Sequence, residues 1–176
     1  DSFEHTQAGR TDQATETWLA AVDVASREGD HLNAARAALE LARLERSRRH
    51  PQTALTWLDN ARSQAEFASD AALLAVISLE LGHVQSARQR WSLARRAWSE
   101  ARQRAREIDR HDIAFDALLQ LWRLARAQAD AADERAALRA LRLLSRLIEE
   151  IPRDASDLLP HLRRTQPASE RNNVNG

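Results

Sequence analysis

The chain has 176 residues, enough for one sizeable core; Ala, Leu, Arg and Glu dominate it while Gly and Pro number only four each, which is a helical composition. Its 26 basic residues, all Arg, balance 26 acidic ones, so net charge gives the molecule no general pull towards nucleic acid or anionic membrane, and any such preference must come from a local patch. The absence of cysteine excludes disulfides and Cys-based zinc sites, and no apolar run approaches the ~18 residues of a membrane span or a secretory leader, so the expectation is a cytoplasmic protein.

Residues 1–10 read as the tail of a helix with Gly9 as the turn after it and, with no methionine in the chain, as the interior of a longer protein. From Thr11 the positions Ala14, Trp18, Ala21, Val22 and Ala25 recur at helical spacing. Gly29-Asp30 ends that helix and starts the next, the Gly taking the left-handed C-terminal position and the Asp capping the free N–H groups that follow. Ala34, Ala35, Ala38, Leu41 and Leu44 carry a second helix to about Arg48, where His50-Pro51 breaks it, since Pro suits a first helical turn and restricts the residue before it.

A third helix is expected over Pro51 to Phe67, with Ala54, Leu58, Ala61 and Ala65 inward and Ser69-Asp70 as its stop and the next cap. The apolar stretch Ala71 to Leu81 then meets Gly82-His83, read as a turn, and a long helix over Val84 to Ile108 is expected after it, although the repeat register would place the turn near Gln89. Asp109 to Asp112 is the following junction, with Ile113 to Ala127 as a helix and Asp130 or Asp133 as the next cap. Glu134 to Ile151 follows, with Leu138, Leu141, Leu144, Leu147 and Ile148 inward, and Pro152 stops it. Leu158, Leu159 and Leu162 suggest a short capping helix within 152–164, and the polar stretch 165–176 reads as disordered.

The order has a period. Ala94, Trp98, Ala101, Ala105, His111, Ala114, Leu121 and Leu124 stand 80 residues after Ala14, Trp18, Ala21, Ala25, His31, Ala34, Leu41 and Leu44. A step of 40 superposes Ala54, Leu58, Ala61, Ala65, Asp70 and Leu81 on the places of Ala14, Trp18, Ala21, Ala25, Asp30 and Leu41. Fixed self-similarity of this kind marks a solenoid. The expected fold is all-α, a right-handed superhelical solenoid of antiparallel helix pairs over 1–151, with units near 9–48, 49–81, 82–127 and 128–151.

Gly9-x4-Ala14-x3-Trp18 and Gly82-x4-Ala87-x3-Trp91 resemble the tetratricopeptide repeat, and Arg49-x4-Ala54-x3-Leu58 keeps the spacing without the Gly or the aromatic. The usual unit of that family is ~34 residues, and the longer unit here is similar to those in the sensor regions of bacterial signal-transduction and transcription regulators of the maltotriose-activator type. The resemblance implies a non-catalytic protein–protein interaction module in a larger regulatory protein, holding a peptide or partner protein in a concave groove lined by one helix of each pair. Carried over by register, the groove would present Arg36, Glu40, Arg43, Glu80, His83, Asp116, Gln120 and Arg123, with Asn33 beside them. Such a mixed ladder suits a polar peptide, or one carboxylate held in an Arg fork.

Neither a metal site nor a cofactor is expected. The six histidines show no i, i+4 pair, there is no Gly-rich phosphate loop, and His111 beside Asp109 and Asp112 repeats His31 beside Asp30, which points to turn and cap roles. No Ser or Thr has a nucleophile-elbow context, so catalysis is not expected. The alternative is a nucleic-acid-binding scaffold that uses an arginine face with Arg88, Arg95, Arg102 and Arg106. Against it, Trp91, Ala94, Trp98, Ala101, Ala105 and Ile108 form one stripe, which makes both tryptophans core. Self-association through the apolar ends, Ala14 with Trp18 and the Leu138 to Ile148 stripe, is a third reading.

Overall fold

The computed structural model describes residues 2–148 and 150–162, with side chains from Thr11 onward. The described residues are helical throughout, without strands: α1 (Ser2–Glu28), α2 (His31–Ser47), α3 (Pro51–Phe67), α4 (Ala71–Ala87), α5 (Trp91–Glu107), α6 (His111–Ala127), α7 (Ala131–Leu144), a 3-10 turn (Arg153–Ala155) and α8 (Leu159–Leu162). The stretch 165–176, expected to be disordered, lies outside the described residues.

Helices α2 to α6 are each 17 residues long, and one left-handed residue recurs at every junction: Gly29, Arg49, Ser69, Gln89, Asp109 and Ala129, with φ between 55° and 72°. In each, the following N–H reaches back five residues, as in His50 N to Glu45 O at 2.8 Å and Arg90 N to Gln85 O at 2.9 Å. This closes the helix end by satisfying a free carbonyl. The donor residue is also the N-cap of the next helix. Asp30, Asp70 and Asp130 accept the N–H of the third residue on, at 3.0, 2.8 and 3.1 Å, whereas His50, Arg90 and Arg110 make no side-chain cap.

Consecutive helices pack on one another from α1 to α7, and α2, α4 and α6 also touch one another in turn. The interior is built from small residues that let backbones approach, among them Ala34, Ala35, Ala38 and Ala42 of α2 and Ala94, Ala101 and Ala105 of α5. Larger side chains fill the gaps: Leu41, Leu58, Ile77, Phe115 and Trp122 are almost fully buried, each contributing about 1.5–3 kcal/mol of transfer free energy.

Several expectations are corrected. Helix α1 runs through Gly9 rather than turning there. Gly82 is no turn either: it lies buried inside α4, and the turn falls at Arg88 to Arg90, where the repeat register places it, so the helix expected over Val84 to Ile108 is two. Glycine is required at 82 because a Cβ would lie 2.2 Å from the Trp98 Nε1 of α5. Since α5 begins at Trp91, that indole is 44% exposed while Trp98 is 3% exposed, and only one of the two tryptophans is core. Helix α7 ends at Leu144, before the expected Ile151. Its last turns loosen into shorter-range bonds such as Leu147 N to Leu144 O at 2.8 Å, and Leu147 faces outward.

The segment after Pro152 then takes the place the period assigns to the next even-numbered helix. Ala155 and Leu158 are fully buried in one cluster with Phe115, Leu118 and Leu141. Arg142 of α7 ties the segment down by donating from Nη2 to the His161 carbonyl at 2.8 Å.

Candidate functional site

The predicted ladder occupies equivalent positions 40 residues apart on α2, α4 and α6, which neighbour one another. Its N-terminal part is closed on itself. Arg43 Nη1 donates to Glu40 Oε1 at 2.6 Å, and Arg43 Nε stands 3.6 Å from Glu80 Oε2, whose other oxygen accepts from Arg46 Nε. Glu80 is 5% exposed, so two guanidinium groups compensate a buried carboxylate, and removing either leaves part of that charge unpaired. Arg36 is exposed, and Asn33 is spent on the α2 cap, giving its Nδ2 hydrogen to Asp30 Oδ2 at 2.6 Å.

Arg123, at the other end, is also engaged. It forms a fork on Asp157, Nε to Oδ2 at 3.0 Å and Nη2 to Oδ1 at 2.8 Å, and Nη2 also donates to the Asp154 carbonyl. The fork raises the Arg123 guanidinium and holds the Asp157 carboxyl below its usual range. The chain therefore supplies the carboxylate that the ladder was expected to take from a partner. Arg46, Asp154 and Asp157 were missed from sequence. Their signal was a step of 34 residues, common to Arg46–Glu80 and Arg123–Asp157, which joins α2 to α4 and α6 to the segment just before α8.

Between these closed ends lie His83, Asp116 and Gln120, all half-buried. His83 stands edge-on to Trp98 with ring centres 5.8 Å apart; burial lowers its pKa, and the Arg46 and Arg43 charges lower it further against the opposing pull of Glu80 and Asp154. Asp116 makes no hydrogen bond or ion pair among the described residues. Burial first, then the neighbouring charges of Asp154 and Asp112, push its carboxyl up to about 6. It is an acceptor whose charged form no nearby cation compensates.

Of the four residues of the arginine face, Arg95, Arg102 and Arg106 line cavities that share Arg102. Arg88 turns back to Gln85 Oε1 at 3.4 Å, and Arg95 binds Asp133 of α7 at 2.5 Å and Gln128 at the end of α6 at 2.8 Å. Arg102 is half-buried while Arg106 is exposed. Arg104, on the same helix, is tied to Glu100 at 3.0 Å.

His31 is exposed at the start of α2, its Nδ1 2.7 Å from Gln64 Oε1 and its ring stacked on the exposed Phe67 at 5.1 Å. Among the described residues no group of His, Asp and Glu is placed to hold a metal ion, and no helix is long and apolar enough to cross a membrane. No family model matches the chain, and no curated protein matches it.

Proposed function

We propose that the chain is a right-handed, tetratricopeptide-like solenoid acting as a non-catalytic interaction module, and that a peptide or partner protein lies along the face shared by α2, α4 and α6. The observation that carries this reading is Asp116, a half-buried carboxylate at the middle of that face with no compensating partner among the described residues. His83 and Gln120 sit at ladder positions of the same face. A half-buried carboxylate loses part of its hydration without gaining a partner, and a donor from a partner protein would relieve that cost. Because Arg43 and Arg123 are already satisfied within the chain, the partner's anchoring group is a cation, an Arg or Lys side chain, rather than a carboxylate.

The test is binding of Arg- and Lys-containing peptides, measured against acidic and neutral peptides of the same length. Affinity for basic peptides should rise with pH through about 6, as Asp116 ionises, and fall by about tenfold in Asp116→Asn, the worth of one charge-assisted hydrogen bond. Equal binding of basic peptides by wild type and Asp116→Asn would remove the site from this face.

The same substitution has a stability signature. A carboxyl with a folded value of about 6 against 3.8 binds its proton more tightly in the folded state, so its contribution is full below pH 3.8 and is lost as pH rises to about 6. Asp116→Asn should therefore raise stability at pH 7 by about 1–2 kcal/mol, discounted for solvent screening, and flatten the pH profile across that window in urea melts.

A further inference from the structure

Three adjoining cavities, of about 490, 370 and 340 Å³, lie along α5 and share Arg102; the first is lined by α5 alone, with Glu107 beside Arg102 and Arg106, and the other two open between α5, α6 and α7. Arg106 joins Arg102 in the first two. The floor of the 370 Å³ cavity is apolar, with Leu118 of α6 and Ala140, Leu143 and Leu144 of α7; the other ionisable groups lining it are Asp109 and His111. Leu143 is 64% exposed, an uncovered hydrocarbon surface beside two cations.

The repeat shows what is missing there. Odd-numbered helices are tied across such clefts by pairs 38 residues apart: Arg62 of α3 with Glu100 of α5 at 3.6 Å, and Arg95 of α5 with Asp133 of α7 at 2.5 Å. Arg102 is the counterpart of Arg62 one repeat later, and the residue 38 beyond it is Ala140. No carboxylate answers it. Arg102 Nε is buried without a hydrogen-bond partner, and Arg106 forms no ion pair among the described residues. Burial and the Arg106 charge both work against the Arg102 cation, with no acid acting the other way. Two guanidinium groups in that condition suit a bidentate carboxylate, and the volume is that of a small-molecule site.

We propose that the α5/α7 cleft binds a small organic acid with an apolar body, its carboxylate replacing the absent acidic side chain against Arg102 and Arg106 and its hydrocarbon covering Leu118, Leu143 and Leu144. This site is separate from the face that carries Asp116, and neither reading depends on the other.

The experiment is isothermal titration of the 176-residue chain with octanoate, with octan-1-ol and inorganic phosphate as comparisons. Octanoate should bind at one saturable site, about tenfold or more weaker in Arg102→Gln, as expected for loss of a charge-assisted pair. Ala140→Glu supplies the acid internally; it should raise Tm and abolish octanoate binding, and it carries the test alone if Arg102→Gln does not fold. Three results would overturn the proposal: no octanoate binding, binding unchanged in Ala140→Glu, or octanol binding as tightly as octanoate, which reduces the cleft to an apolar hollow. Phosphate binding as tightly as octanoate would overturn the apolar half of the assignment.

Discussion

The hairpins α2/α3 and α4/α5 share length, turn and register but solve their crossing differently. At equivalent positions the first sets Ala42 and Leu58 in one buried cluster, and the second sets Gly82 beneath the Trp98 indole. One partner shrank as the other grew. In these two hairpins a smaller residue on one side accompanies a larger one on the other, as close packing requires. A third variant, Trp122 with Leu138 in α6/α7, uses a large residue on each side.

The sharpest way to break the comparison is to exchange solutions. Trp98→Leu alone should cost about 2–4 kcal/mol by leaving a cavity over Gly82. Gly82→Ala alone should cost about 1–3 kcal/mol through overpacking, even though alanine is the better helix former by about 1 kcal/mol. The double substitution Gly82→Ala/Trp98→Leu recreates the smaller pairing, so its cost in urea melts should fall clearly below the sum of the two. Additive costs would show that the crossing is not the coupled unit described here.

A smaller effect separates the two ends of the α4/α5 hairpin. Asp70 caps α4 through its side chain, while Arg90 heads α5 with φ −90° and ψ 67°, close to the −83° and 77° of the capping Asp30, yet makes no cap bond. Arg90→Asp should thus add about 0.5–1 kcal/mol by satisfying a free N–H group and by placing negative charge at a helix N-terminus, read as a higher urea midpoint. Smallest of all, Gln89→Gly at φ 58° should stabilise by about 0.5 kcal/mol, relief of left-handed strain slightly outweighing the entropy of the unfolded glycine. The same change at the α2/α3 turn, Arg49→Gly at φ 62°, should match it if the two junctions are equivalent.

These particulars explain what could be read from the letters. Asp30, Asp70 and Pro51 announce their helix starts because each residue type has a chemistry suited to that position, and the helix Pro51–Phe67 has the expected bounds. The turn at Gln89 was legible in the period alone, because a non-glycine residue held left-handed by its surroundings has no distinguishing composition, while the glycine seven residues earlier serves packing. The ladder positions on α2, α4 and α6 followed from the period, but their pairing did not. That Arg123 is answered by Asp157, and Arg102 by nothing among the described residues, depends on which side chains face across a cleft, and a single helix pattern does not encode that.

Gly82 also bears on how such an array can be lengthened or shortened. Excising 51–90 would leave every helix length and every junction spacing unchanged and yet bring Ala42 beneath Trp98, where a methyl group collides with the indole. Excising 31–70 removes α2 together with its partner α3 and keeps Gly82 with Trp98. Recombination within this chain is thus neutral only between hairpins, so that α4 and α5 must be inherited together although nothing in their length or turns binds one to the other.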